Sequence, residues 1–131
     1  MERAKQSLVH LDTHVVLWLS MGVKKLSEPA IYTLNNATQI YVAPIVELEL
    51  QYLLEIKRIK ENPSVILEVL ETDIGLRISD IDHIRVMKLA KHISWTRDVF
   101  DRLIVAEAMA SNATLITKDE KIIKNFNQAL W

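Results

Sequence analysis

The sequence predicts a three-layer α/β/α fold with a central, mostly parallel sheet of four to five strands. Three observations carry that prediction. Short apolar runs alternate with longer amphipathic stretches along the whole chain, the pattern of strand–helix units. Only two glycines and three prolines are present, which leaves little room for long irregular loops. The 131 residues, half of them apolar and a quarter charged, suit one globular domain with a single sizeable core.

The elements follow in order. Ser7 to Leu11 reads as the first strand, apolar except at His10 and closed by Asp12. A helix with the apolar body Val15–Leu19 comes next, and Gly22 marks its end. Ser27, Glu28 and Pro29 combine an N-cap with an acid and a proline in the first turn, opening a helix that runs to about Asn36. Ile40 to Ala43 is the second strand, and Pro44 begins a long helix with its amphipathic body at Val46 to Ile59. Pro63 starts a helix through about Glu71, and Leu76 to Ser79 is the third strand. Asp80 to His92 is helical, with Ile81, Ile84, Met87 and Leu89 near the helical period. Val99 to Ser111 is a further helix, apolar at Phe100, Leu103, Ile104, Ala108 and Met109. Ala113 to Thr117 is the fourth strand, Asp119 to Asn125 a short last helix, and the tail through Trp131 either adds a strand or packs.

Composition narrows the chemistry. The chain has no cysteine, which excludes a disulfide framework, a thiolate zinc site and a cysteine nucleophile, and agrees with a reducing compartment. No His pair has metal-binding spacing, so a histidine zinc site is not expected either. No run approaches the roughly 20 apolar residues of a membrane helix. Residues Met1 to Gln6 are charged at Glu2, Arg3 and Lys5, and the apolar stretch behind them is broken by His10, Asp12 and His14. No export signal is read there, and a cytoplasmic protein is expected. Sixteen Lys and Arg face seventeen Asp and Glu, a net charge of −1, so no global basic field draws in nucleic acid. Such a partner has to be held by a local patch or by metal ions.

The acids fall where a parallel sheet gathers its ligands. Asp12 directly follows the first strand, and only Lys118 separates Asp119 from the fourth. Glu49 lies early in the helix after the second strand, with Glu47 as its competitor. Asp101 stands near the start of the Val99 helix, with Asp98 three residues earlier. Asp12, Glu49 and Asp119 map to the carboxyl edge of the sheet, where the ligand crevice of an open α/β fold forms, and Asp101 can point there with Asp98 on the same face. Taken singly, each is as well explained as a helix cap or a solvated residue, Asp119 above all. Taken together they repel: two unit charges about 4 Å apart cost roughly 4 kcal/mol at an effective dielectric near 20. A cluster of this kind takes up cations or protons or pairs with Lys and Arg. Oxygen-only ligands select hard ions such as Mg²⁺ or Mn²⁺, which suit phosphodiester hydrolysis.

Four strings extend this reading. LDTHVVLWL (Leu11–Leu19), VAPIVELEL (Val42–Leu50), RDVFDRLIVAEA (Arg97–Ala108) and ATLITKDEKI (Ala113–Ile122) occur in the order found in PIN domains. The chain resembles most closely the toxin ribonucleases of VapC type, the most specific part being Asp-x-x-Asp-Arg-Leu-Ile followed by the strand ending in Thr-Lys-Asp.

The resemblance implies a PIN-like fold and a divalent-metal-dependent endoribonuclease using Mg²⁺ or Mn²⁺. It assigns Asp12, Glu49 and Asp101 to the principal ion, and Asp119 to completing the cluster or orienting water. The family's spacing favours Glu49 over Glu47. Thr13, Asp98 and Thr117 become polar supports, and Arg102 and Lys118 candidates for RNA phosphate, with a structural role weighed ahead for Arg102. The sequence departs from the family at Val99, where proline is common, and at Ala43, where serine is common. Neither departure removes a ligand.

As partners the resemblance implies RNA, a cognate antitoxin protein and a second copy in a homodimer. The helices starting near Ser27 and Pro44 are the candidate protein-binding surfaces. The rival function is a catalytically inert PIN-fold module that binds RNA or protein. A phosphatase with an aspartyl nucleophile fits poorly, because its second Asp would stand where His14 does. Lys57, Arg58 and Lys60, with Lys118, Lys121 and Lys124, form the candidate RNA patch. Trp18, Trp95 and Trp131 read as packing residues rather than base-stacking platforms.

Overall fold

The first strand, β1 (Leu8–Leu11), occupies the middle of the sheet, and its neighbours decide where a site can form. In the computed structural model, which describes residues 7–22 and 25–131, β1 pairs on one side with β2 (Gln39–Val42) and on the other with β4 (Thr114–Ile116). Two-residue edge strands complete the sheet, β3 (Arg77–Ile78) beside β2 and β5 (Ala129–Leu130) beside β4. Every pair is parallel and the order is β3-β2-β1-β4-β5. This is the parallel α/β arrangement expected from the alternating pattern, with the tail supplying the fifth strand. The segment 1–6, read above for an export signal, lies outside the described residues.

The strand order has a direct consequence. The chain leaves β1 toward β2 on one side and returns through β4 on the other, so the crevice opens at the carboxyl ends of β1 and β4. Register brings Leu11 opposite Ile116, and the Asp12 N–H donates to the Ile116 carbonyl at 3.1 Å. Asp12 and Thr117 therefore emerge side by side. Beneath them the core is fully buried at Val9, Leu11, Val15, Val16, Leu115 and Ile116.

Seven helices connect the strands among the described residues: α1 (Thr13–Met21), α2 (Glu28–Asn35), α3 (Pro44–Glu55), α4 (Pro63–Ile74), α5 (His83–Lys91), α6 (Val99–Ala110) and α7 (Glu120–Asn125). Their starts obey local chemistry. Ser27 accepts from the Ala30 N–H, Asn62 from Ser64, and Pro29, Pro44 and Pro63 occupy first-turn positions where a missing N–H costs nothing.

Three boundaries correct the sequence reading. α3 stops at Glu55 rather than continuing to Ile59, because Lys57 turns into the left-handed region at φ 63°. α4 runs past Glu71 to Ile74, where Gly75 takes φ 69° and its N–H closes on the Glu71 carbonyl. α5 begins at His83 rather than Asp80, since Asp82 caps it by accepting from the Ile84 N–H.

Candidate active site

Asp12 is the N-cap of α1, with one carboxylate oxygen accepting from the Thr13 N–H at 2.8 Å. Its other oxygen accepts from the Thr117 hydroxyl at 2.6 Å, and that hydroxyl in turn accepts from the Asp119 N–H at 3.0 Å. Thr117, itself fully buried, thereby couples the loops after β1 and β4. Thr13 does the same on the opposite side: its buried hydroxyl donates to Glu49. The two threonines hold three acids, which is a more specific role than general polar support.

Glu49 and Glu47 are separated by this arrangement. Glu49 bonds Thr13 and faces the cavity at the carboxyl edge, whereas Glu47 lines a different cavity with Glu68, Glu71 and Arg77. Two residues along a helix turn a side chain by about 200°, so only one of the pair can point into the crevice.

Asp98 caps α6, accepting from the Asp101 N–H at 3.0 Å, and Asp101 occupies the first turn. Val99 stands where the family commonly has proline, and α6 still starts at that residue. The approach is braced by the buried Thr96, whose hydroxyl accepts from the Asp98 N–H at 3.2 Å. The Thr96 carbonyl accepts from Arg102 Nε at 2.8 Å. Arg102 thus has a structural partner, a backbone carbonyl rather than an acid. Thr96 was not singled out in the sequence, where nothing distinguishes a lone threonine before a helix cap.

Asp119 caps α7, accepting from the N–H groups of Lys121 and Ile122 at 2.9 and 3.3 Å. The cap role raised from sequence is realised, and it does not remove Asp119 from the cavity. Asp12, Glu49, Asp98, Asp101 and Asp119 line one cavity of about 400 Å³ together with His14, Trp18 and Lys118.

Protonation reflects this crowding. The Asp101 carboxyl is pushed up to about 7, first by burial and then by Asp98, Asp12, Asp119 and Glu49. Burial also raises Asp12, opposed by its Thr117 and Thr13 hydrogen bonds, with Asp119 adding to the rise. Burial raises Glu49 too, against the Thr13 hydrogen bond, with Asp12 and Asp98 adding. Acids from β1, α3, α6 and the β4 edge therefore feel one another through a common space. Among the described residues, no three His or acidic side chains stand close enough as they are to enclose an ion. The donor set nevertheless fits a hard divalent cation: it is all carboxylate, crowded by like charge, and relieved by a positive charge at its centre.

Lys118 lines the cavity. Lys57, Arg58 and Lys60 follow the far end of α3, about 18 Å along the helix from its start at the carboxyl edge. They are not among the residues that line the acidic cavity. His10 is fully buried, with Nε2 within 3.1 Å of the Ser111 hydroxyl, and burial pushes its imidazole down to about 4. It is a neutral core residue.

Comparison with known proteins agrees with this geometry. The family model for the PIN domain matches residues 9–127. Ribonuclease VapC22 of Mycobacterium tuberculosis is 31% identical over 115 residues, covering 87% of this chain and 88% of that protein. The crystal structure of VapBC2 from Rickettsia felis, bound to a DNA fragment from its promoter, contains a similar chain. It has a TM-score of 0.64 at 22% identity, over 95% of this chain and 97% of that one. A toxin–antitoxin complex from Klebsiella pneumoniae contains another, with a TM-score of 0.63 at 16% identity, over 94% and 96%.

Proposed function

The chain belongs to the PIN-domain family, and on that premise we propose that it is a divalent-metal-dependent endoribonuclease, the toxin of a toxin–antitoxin pair. The observation that carries the reading is the convergence of Asp12, Glu49, Asp101 and Asp119 on one cavity at the carboxyl edge of the sheet. Four acids drawn into mutual repulsion cost stability in the metal-free protein, and that cost has a purpose only if a cation joins them.

Asp12, Glu49 and Asp101 would hold the ion, Mg²⁺ or Mn²⁺, with Asp119 completing the cluster. Such an ion polarises a phosphoryl oxygen and lowers the pKa of an attacking water. The chain's own residues set the geometry. Thr117 fixes Asp12 against Asp119, Thr13 fixes Glu49, and the Asp98 cap holds the first turn of α6 so that Asp101 faces inward. Lys118 is the cation on the cavity wall available to a phosphate. The chain is read as one nuclease domain.

The antitoxin and homodimer partners rest on the VapC resemblance. So does a cytoplasmic location, in keeping with the finding that no helix of the described residues is long and apolar enough to cross a membrane. Finding an adjacent small gene that encodes a DNA-binding protein would support the toxin assignment. The decisive assay incubates purified protein with single-stranded RNA, with and without Mn²⁺. Cleavage that needs the ion and disappears in Asp12→Asn is the expected result. Equal cleavage by the wild type and that variant overturns the site; RNA binding without any cleavage favours an inert binding module.

A further inference from the structure

The carboxylate cavity has one wall that metal chemistry does not use. Trp18, one turn after His14 on α1, lines it. Its ring stands edge-to-face with that of Trp131, centroids 5.4 Å apart. The Lys118 Nζ lies 5.9 Å from the Trp18 ring and 5.8 Å from the Trp131 ring. The cavity that gathers the acids is therefore also lined by Trp18 and Lys118, with Trp131 packed against Trp18.

Both indoles pack against the core, yet neither is buried. Trp18 keeps part of its surface in the cavity that the acids line. Every nucleobase has a π-face that an aromatic side chain can stack on, whatever the base. An ammonium held at a ring by cation–π attraction is a compact charge suited to phosphate. The chain's net charge of −1 supplies no general attraction for a polyanion, so holding a strand falls to local contacts of this kind.

We propose that Trp18, backed by Trp131, is a stacking platform for an unpaired nucleobase beside the scissile phosphate, and that Lys118 contacts the adjoining backbone phosphate. The inference rests on the nuclease reading of the same site and adds to it a contact with one base of the strand. A duplex keeps its bases stacked on one another and cannot present one to the indole.

The test uses Asp12→Asn protein, so that the probe survives, and follows intrinsic tryptophan fluorescence during titration. The probes are an oligouridylate, an abasic ribose-phosphate oligomer of the same length and a fully paired RNA duplex. The expected result is quenching by oligouridylate alone, with affinity about tenfold above that for the abasic oligomer. Adding Trp18→Leu should lower oligouridylate affinity to the abasic level, and Trp18→Phe should restore most of it. Equal affinity for base-bearing and abasic oligomers overturns the platform, and so does undiminished binding by folded Trp18→Leu protein. If Trp18→Leu does not fold, the base-against-abasic comparison in the Trp18-containing protein decides alone. Base-dependent quenching in a protein whose wild type cleaves no RNA supports the platform and removes the nuclease reading instead.

Discussion

Helix α6 carries two carboxyl groups drawn out of water, and they are accommodated in opposite ways. Glu107 is buried, and the Ser79 hydroxyl donates to it at 2.8 Å. Burial raises its pKa, with the Ser79 hydrogen bond opposing the rise. Asp101, about 9 Å earlier along the same helix, is raised by burial and then by four other acids. One acid is met by a donor that ties α6 to the end of β3. The other is met by more negative charge. The contrast separates a carboxyl tied into the fold by a donor from one crowded by like charge, the one proposed to receive a cation.

Substitution should expose this contrast most strongly in catalysis. Asp101→Asn is expected to lower RNA cleavage by at least about a hundredfold, as loss of a metal ligand does. Glu107→Gln should stay within about threefold of wild type in the same single-turnover assay. If both variants are equally impaired, the division between the two ends of α6 fails.

Metal binding sharpens the same comparison. Mn²⁺ at a hundredfold excess over its Kd should stabilise the wild type and Glu107→Gln by about 2.7 kcal/mol, and Asp101→Asn by much less. Chemical denaturation with and without the ion measures it. Structure, in turn, should depend on Glu107. Its replacement by alanine leaves the Ser79 hydroxyl without its partner and is expected to cost about 1–3 kcal/mol. Asp101→Asn should leave the metal-free protein as stable as the wild type or more so. A destabilised Asp101→Asn and a neutral Glu107→Ala would invert the assignment.

The smallest effect is in pH. A carboxyl whose folded pKa is raised contributes stability that is full below its unfolded pKa, near 4, and is lost as pH climbs through the folded value. For Asp101 that window runs from about 4 to about 7. Metal-free protein should therefore lose melting temperature across this range, and Asp101→Asn should flatten the slope. Saturating Mn²⁺ should flatten it as well, since the ion favours the ionised form. A melting temperature that rises steadily from pH 4 to 7 without metal would show that other groups outweigh the cluster.

Much of this was legible in the chain. Asp12 after β1 and Asp119 after β4 were placed by strand periodicity and parallel topology, because parallel strands deliver their carboxyl ends to one edge. The starts of α2, α3 and α4 followed from Ser27, Pro44 and Pro63. The stop of α3 did not, since Ile56 and Ile59 continue an apolar pattern that the backbone abandons at Lys57. The basic stretch after α3 illustrates the same limit: its composition suggested a contact with RNA but could not show that it follows the end of α3 remote from the carboxyl edge.

By itself the sequence determined the fold class, the family and the edge at which the acids collect, because periodicity, caps and strand-end positions are local properties of the chain. Tertiary structure decided what depends on distant segments meeting. It turned Glu49 toward the acidic cavity beside Thr13 and Glu47 toward another, tied Asp12 to Asp119 through Thr117, assigned Arg102 to a carbonyl, and set Trp18 and Trp131 beside Lys118. Each of these is a contact between groups whose orientation only the packed sheet and helices impose.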